Sequence, residues 1–152
     1  MKKISCPWRT LDRGCKKIAE SIQFDIDHIV GISRGGLVPA TILAHKLNVR
    51  EVHTIGIRSY NLEHINSTTK IYQNCFKNCE RDGVYCGKNI LIVDDISDKG
   101  NTLMRVMAEA RECHPNINIL TASIYVREST DYVPHFFYKK IKDEWVVFPY
   151  EK

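Results

Sequence analysis

The chain has no apolar run approaching the roughly 18 residues that a membrane-crossing helix needs. A helical span is therefore not expected anywhere along its 152 residues. Met1-Lys2-Lys3-Ile4 is basic, but no apolar stretch follows it, so a secretory signal is not expected either. Long Lys/Arg runs and RNA-binding signatures are missing. The net charge of +4 suits a small anionic ligand and is too weak to imply nucleic acid. There is no internal repeat, low-complexity segment or linker, so residues 1–152 read as a single domain. Six cysteines are present, and without an export signal they read as reduced thiols in a cytoplasm. Cys75, Cys79 and Cys86, with His64 upstream, have C-x3-C-x6-C spacing. That is not a standard zinc pattern, and these three read mainly as thiols. Cys6, Cys15 and Cys113 read as small core residues.

What is present is an ordinary globular balance, with 43% hydrophobic and 26% charged residues. Leu11, Cys15, Ile18, Ala19 and Ile22 recur at helical spacing over Thr10 to Gln23, with Thr10 as the expected N-cap. His28 to Ile32 reads as a strand, Leu37 to Leu47 as a helix with Pro39 in its first turn, and Val49 to Ile57 as a second strand. That spacing predicts a parallel pair with a right-handed crossover. Residues 59–88 turn polar and weakly periodic, which predicts a mobile flap. Asn89 to Asp94 reads as a strand, Asn101 to Cys113 as a helix and Ile117 to Val126 as a strand. Phe136 to Ile141 and Trp145 to Phe148 read as short late strands. The expected fold is α/β, a doubly wound, mostly parallel sheet.

Two stretches carry chemistry. In Asn89 to Thr102 an apolar strand runs into Asp94 and Asp95. Ligands of open α/β sheets bind outside such strand ends. Adjacent side chains on an extended strand point opposite ways, so the two acids need not share one metal. One can hold hydroxyls while the other reaches Mg²⁺, directly or through water. Asp98-Lys99-Gly100-Asn101-Thr102 then opens a helix whose free N–H groups can cradle an anion, with Ser97 or Asp98 as the alternative cap. Ser33-Arg34-Gly35-Gly36 is a second loop of the same kind, between a strand and a helix.

With these residues in view, VDDISDKGNT (93–102) resembles the phosphoribosyl-pyrophosphate motif of type I phosphoribosyltransferases. GISRGGLVP (31–39) resembles the pyrophosphate loop of the purine members, and Ser59-Tyr60 the dipeptide that opens their flexible catalytic loop. DEWVVFPYE (143–151) resembles the C-terminal hood of xanthine-guanine and related 6-oxopurine enzymes. The resemblance implies an Mg²⁺-dependent transfer of 5-phosphoribose from phosphoribosyl pyrophosphate to a 6-oxopurine in purine salvage. By it, Asp94 and Asp95 serve the ribose hydroxyls and Mg²⁺, and residues 98–102 hold the 5′-phosphate. Ser33, Arg34 and Gly35 line the pyrophosphate site, where relatives often have a cis peptide. Asp98 sits near purine N7 as the proton acceptor, Trp145 stacks on the ring, and the backbone around Val146 reads its edge. Residues 59–88 form the flexible loop, and about 127–152 with the N-terminal segment form the hood. Lys99 stands where relatives usually carry Thr. The lysine that meets purine O6 in relatives maps onto Arg127 or, counting back from Trp145, onto Val126; Arg127 is preferred because it keeps a donor. Partners implied are the sugar donor and a purine base, with no nucleic acid or membrane, in a homo-oligomer, dimer or tetramer. Two other readings stay open: a regulator that binds the donor without turnover, and an enzyme of this class for another base.

Overall fold

The computed structural model describes residues 2–60, 68–77 and 84–151. Eight strands and three α-helices follow in the order β1 (Lys2–Ser5), α1 (Trp8–Ser21), β2 (His28–Ser33), α2 (Leu37–Lys46), β3 (Glu51–Tyr60), β4 (Thr68–Asn74), β5 (Asn89–Ser97), α3 (Asn101–Cys113), β6 (Asn118–Arg127), β7 (Phe136–Ile141) and β8 (Glu144–Val147). A six-stranded sheet has the order β4-β3-β2-β5-β6-β7. All its neighbours are parallel except β4, which runs antiparallel to β3. From β2 the chain crosses to β3 on one side, and from β5 to β6 on the other. The order therefore reverses between β2 and β5, where a ligand crevice forms at the carboxyl ends of the strands.

Strand alternation divides the core into two layers. Ile29, Leu91, Val93, Ala122 and Ile124 pack with Leu11, Cys15 and Ile18 of α1 and Ala40 and Leu43 of α2. Val30, Ile32, Ile55, Ile90 and Ile92 pack with Leu103, Val106 and Ala110 of α3. The second layer also holds Phe76 and Tyr85, both fully buried. Residues 59–88, read as polar from composition, thus contribute two aromatics to the core. Their described parts are a strand and two turns that close the sheet edge; 61–67 and 78–83 lie outside the described residues. Polarity misled there because β4 is an edge strand, apolar only where Ile71 faces the core.

Other boundaries shift too. Helix α1 begins two residues early, with Pro7 at the N-cap position and no side-chain cap, so Thr10 lies in its first turn. Strand β5 continues past both acids to Ser97 because Ile96 and Ser97 still pair with Tyr125 and Val126. The hood is narrower than 127–152, since β7 extends the main sheet. The separate small sheet consists of β1 and β8, parallel, with Ile4 beside Val146. Cys6 and Cys15 are buried as expected, and burial pushes the Cys15 thiol up to about 12.

Glu109, buried on α3, ties residues 74–77 to the helix. It accepts hydrogen bonds from Asn74 Nδ2 (2.7 Å) and pairs with Lys77 (2.9 Å) and Arg105 (2.8 Å). The Lys77 hydrogen bond leads the effects that hold its carboxyl below the ordinary value of 4.5. A depressed carboxyl stabilises the fold above its unfolded pKa, and that contribution is lost as pH falls through the lower folded value. Wild type should therefore lose its stability advantage over Glu109→Gln as pH is lowered from 6 to 3, about 1–2 kcal/mol by urea denaturation.

Candidate active site

Both predicted loops lie at the carboxyl ends of adjacent parallel strands. Strand β5 passes into a turn at Asp98–Gly100, and α3 starts at Asn101. Gly100 has φ of 85°, a left-handed conformation that residues with a Cβ rarely adopt. A Cβ there would also lie 2.6 Å from Cβ of Tyr132 and 2.9 Å from its backbone nitrogen. No side chain caps α3 among the described residues, so neither Ser97 nor Asp98 takes that role. Ser97 is buried and donates instead to the Tyr132 carbonyl at 3.1 Å. The first N–H groups of α3 thus point, without a side-chain partner, into a cleft of about 360 Å³. Asp94, Asp98, Lys99, Gly100, Asn101 and Thr102 line it, together with Thr69 from β4. Free helix N–H groups in such a cleft can cradle an anion of phosphate size, with the carboxylates of Asp94 and Asp98 on its wall.

Asp94 and Asp95 diverge as strand geometry requires. Asp94 faces the cleft, and its Oδ1 accepts the Asp95 N–H at 2.9 Å. Asp95 turns to the other loop: Tyr150 donates its hydroxyl to Oδ2 at 3.0 Å, and a Cβ on Gly35 would collide with the same oxygen at 2.0 Å. Glycine at 35 is what lets the Ser33–Gly36 loop lie on this acid. The Ser33–Arg34 peptide is cis, and Arg34 is exposed. Burial, followed by the charge of Asp95, pushes the Asp94 carboxyl well above the usual carboxylate range. Burial likewise raises Asp95, partly offset by the Tyr150 hydrogen bond. Asp94, the one of the two that faces the cleft, is an oxygen donor of the kind that fits a hard divalent cation such as Mg²⁺.

A second cleft, of about 480 Å³, adjoins the first and shares Asp98 and Lys99 with it. Arg127, Ser129, Asp131, Asp143 and Trp145 complete its lining. Arg127 is buried at the end of β6, while Val126 beside it is turned wholly into the core. Arg127 Nη1 donates to Asp143 Oδ1 at 2.7 Å. Its Nε lies 2.7 Å from Asp98 Oδ1, a close ion pair without an aligned hydrogen bond. Trp145 is 52% exposed, so it is not a core aromatic. Val146 beside it is buried and paired with Ile4, which leaves only its backbone to meet a ligand. Ser59 and Tyr60 end β3, paired with Thr69 and Thr68, at the same end of the sheet as both clefts.

Four contributors escaped the sequence reading. Tyr72 of β4 hydrogen-bonds Ser33 Oγ at 2.9 Å and lies against Gly56, with Arg58 over its ring. Thr69 reaches the phosphate-sized cleft from the same strand. The β-branched and aromatic run of Thr68, Thr69, Ile71 and Tyr72 was the available signal for that strand. Tyr150 and Asp143 stood inside a quoted motif, but nothing local tells which acid or base each will meet.

A family model described as "Phosphoribosyl transferase domain" matches residues 7–151. The chain belongs to this family. It is 33% identical over 146 residues to a xanthine-guanine phosphoribosyltransferase of Chromohalobacter salexigens, covering 95% of this chain and 81% of that one. The corresponding protein of Cereibacter sphaeroides is 35% identical over 124 residues, 81% of this chain and 68% of its own length. Among solved structures, the purine phosphoribosyltransferase from Pyrococcus horikoshii OT3 superposes with a TM-score of 0.84 at 29% identity. That match covers 100% of this chain and 96% of the other. In this phosphoribosyltransferase the loop after β5 and the loop after β2 lie side by side at the carboxyl ends of adjacent strands. No helix among the described residues is long and apolar enough to cross a membrane.

Proposed function

We propose that this phosphoribosyltransferase moves 5-phosphoribose from phosphoribosyl pyrophosphate to a ring nitrogen of a 6-oxopurine and releases pyrophosphate. The observation that carries this reading is the pair of adjoining clefts that share Asp98 and Lys99, one built for a phosphate and one walled by Arg127 and Trp145. The N–H groups at the start of α3, with Thr102, hold the 5′-phosphate, and Lys99 adds charge at the rim. Asp94 and Asp95 take the ribose hydroxyls and Mg²⁺, and Ser33, Arg34 and Gly35 take the pyrophosphate. When bound there, Mg²⁺ supplies positive charge to the leaving group. Trp145 stacks on the base, the backbone at Val146 meets its edge, and Arg127 donates to the 6-oxo group. Asp98 accepts the proton that the incoming nitrogen loses as its bond to the sugar forms. Ser59 and Tyr60 open the loop that excludes water from the activated sugar. Assembly as a cytoplasmic dimer or tetramer, without nucleic acid, belongs to the same reading, and light scattering measures the assembly.

The test is nucleotide formation from the sugar donor, Mg²⁺ and guanine, hypoxanthine or xanthine, each alone. At least one base should give its monophosphate. Donor binding without any nucleotide would replace the enzyme by a sensor; turnover of another base alone would relocate the specificity. Arg127→Lys keeps the charge but loses the planar fork that spans Asp98 and Asp143. It should raise KM for the base about tenfold with donor affinity unchanged, as read by initial rates and calorimetry.

A further inference from the structure

Three side chains of types that can ligate a metal gather at the end of the sheet opposite both clefts. The register of β2 and β3 sets His28 beside Glu51 and Val30 beside His53. All three therefore leave the same sheet face, on two neighbouring strands. His28 Nδ1 lies 3.1 Å from His53 Nε2, and His53 Nε2 lies 4.0 Å from Glu51 Oε2. One ligand atom from each falls within 4.8 Å of the others. None of the three belongs to the Cys75, Cys79, Cys86 and His64 group whose spacing raised the question of zinc; of that group Cys79 and His64 lie outside the described residues.

We propose that His28, Glu51 and His53 form a site for a zinc-class divalent cation, separate from the Mg²⁺ position and clamping β2 to β3. Zinc bonds to nitrogen are about 2.0–2.1 Å, which sets two tetrahedral nitrogen ligands roughly 3.3 Å apart. The two imidazole nitrogens need to part only slightly to admit the ion. Nδ1 of His28 is the nitrogen turned to His53, so a lone pair there can face an ion held between the two rings. The Tyr85 ring stands edge-on to both histidines, 5.0 and 5.5 Å between centroids, and walls the site on its inner side. His28 is buried, His53 half-buried and Glu51 exposed, so an ion enters from solvent on the Glu51 side. Burial holds both imidazoles below their usual range and so keeps them neutral, with lone pairs to give. Two imidazoles and one carboxylate select zinc, cobalt, nickel or copper over Mg²⁺. The clamp joins the strands that lead into the Ser33–Gly36 loop and to Ser59-Tyr60.

Co²⁺ is the spectroscopic probe. Chelator-stripped protein should bind one equivalent at micromolar Co²⁺, displaceable by Zn²⁺, with d–d absorption and no thiolate-to-cobalt charge-transfer band. Saturating Zn²⁺, a hundredfold above Kd, should raise Tm by about 5 °C or more. His53→Gln should weaken binding at least tenfold. Glu51→Gln, on an exposed side chain, should weaken it at least threefold and keeps the test valid if His53→Gln does not fold. No binding at these concentrations, a thiolate band, or unchanged affinity in both variants would overturn the proposal.

Discussion

Replacing Asp98 with Asn lowers kcat by roughly 10²- to 10⁴-fold and leaves affinity for the sugar donor nearly unchanged. The side chain is 61% exposed, so the fold does not depend on it. Asparagine keeps its size but cannot take a proton, and it surrenders the charge that meets Arg127 Nε. The loss should therefore fall on the chemical step. Arg127 keeps its bond to Asp143, so the base cleft retains its wall. Steady-state kinetics with saturating donor and base, alongside calorimetric binding of the donor alone, separate the two effects. A kcat within threefold of wild type would remove Asp98 from its role as proton acceptor. Loss of donor binding instead would make Asp98 a donor-binding residue of the cleft it lines and not the proton acceptor.

The second large effect is at Gly100. Alanine there meets two costs together: a left-handed backbone, about 1–2 kcal/mol, and a Cβ 2.9 Å from the Tyr132 backbone nitrogen. The contact is with backbone and with a Cβ, neither of which can swing aside. The turn must move, and the first N–H groups of α3 move with it. A misplacement near 1 Å costs on the order of 100-fold in rate. Gly100→Ala should therefore lower kcat/KM for the donor about 100-fold and stability by about 2 kcal/mol, measured by initial rates and urea denaturation. The paired change Tyr132→Ala removes the Cγ-outward ring but not the opposed Cβ or nitrogen, so it should not rescue. Wild-type kinetics in Gly100→Ala would mean that the cradle does not hold the phosphate.

The sequence by itself determined the parallel sheet, because buried strands such as Ile29–Ile32 and Ile90–Val93 are nearly continuous apolar runs separated by helical periods. It also located both loops, since glycine and acids at strand ends interrupt those runs where the chain leaves the sheet, the place where ligands of such sheets bind. Alternation alone set Asp94 and Asp95 on opposite faces. What only the tertiary structure decided was contact across distance. Tyr150 reaches Asp95 from 55 positions away, Tyr72 reaches Ser33 from 39, and Arg127 sits between Asp98 and Asp143. The role of β4 also waited on the fold, because an edge strand needs an apolar residue only on its inner face and so resembles a loop in composition. His28, Glu51 and His53 were unremarkable in the chain. Strand register, a property of two segments paired in space, brought their nitrogen and oxygen atoms together.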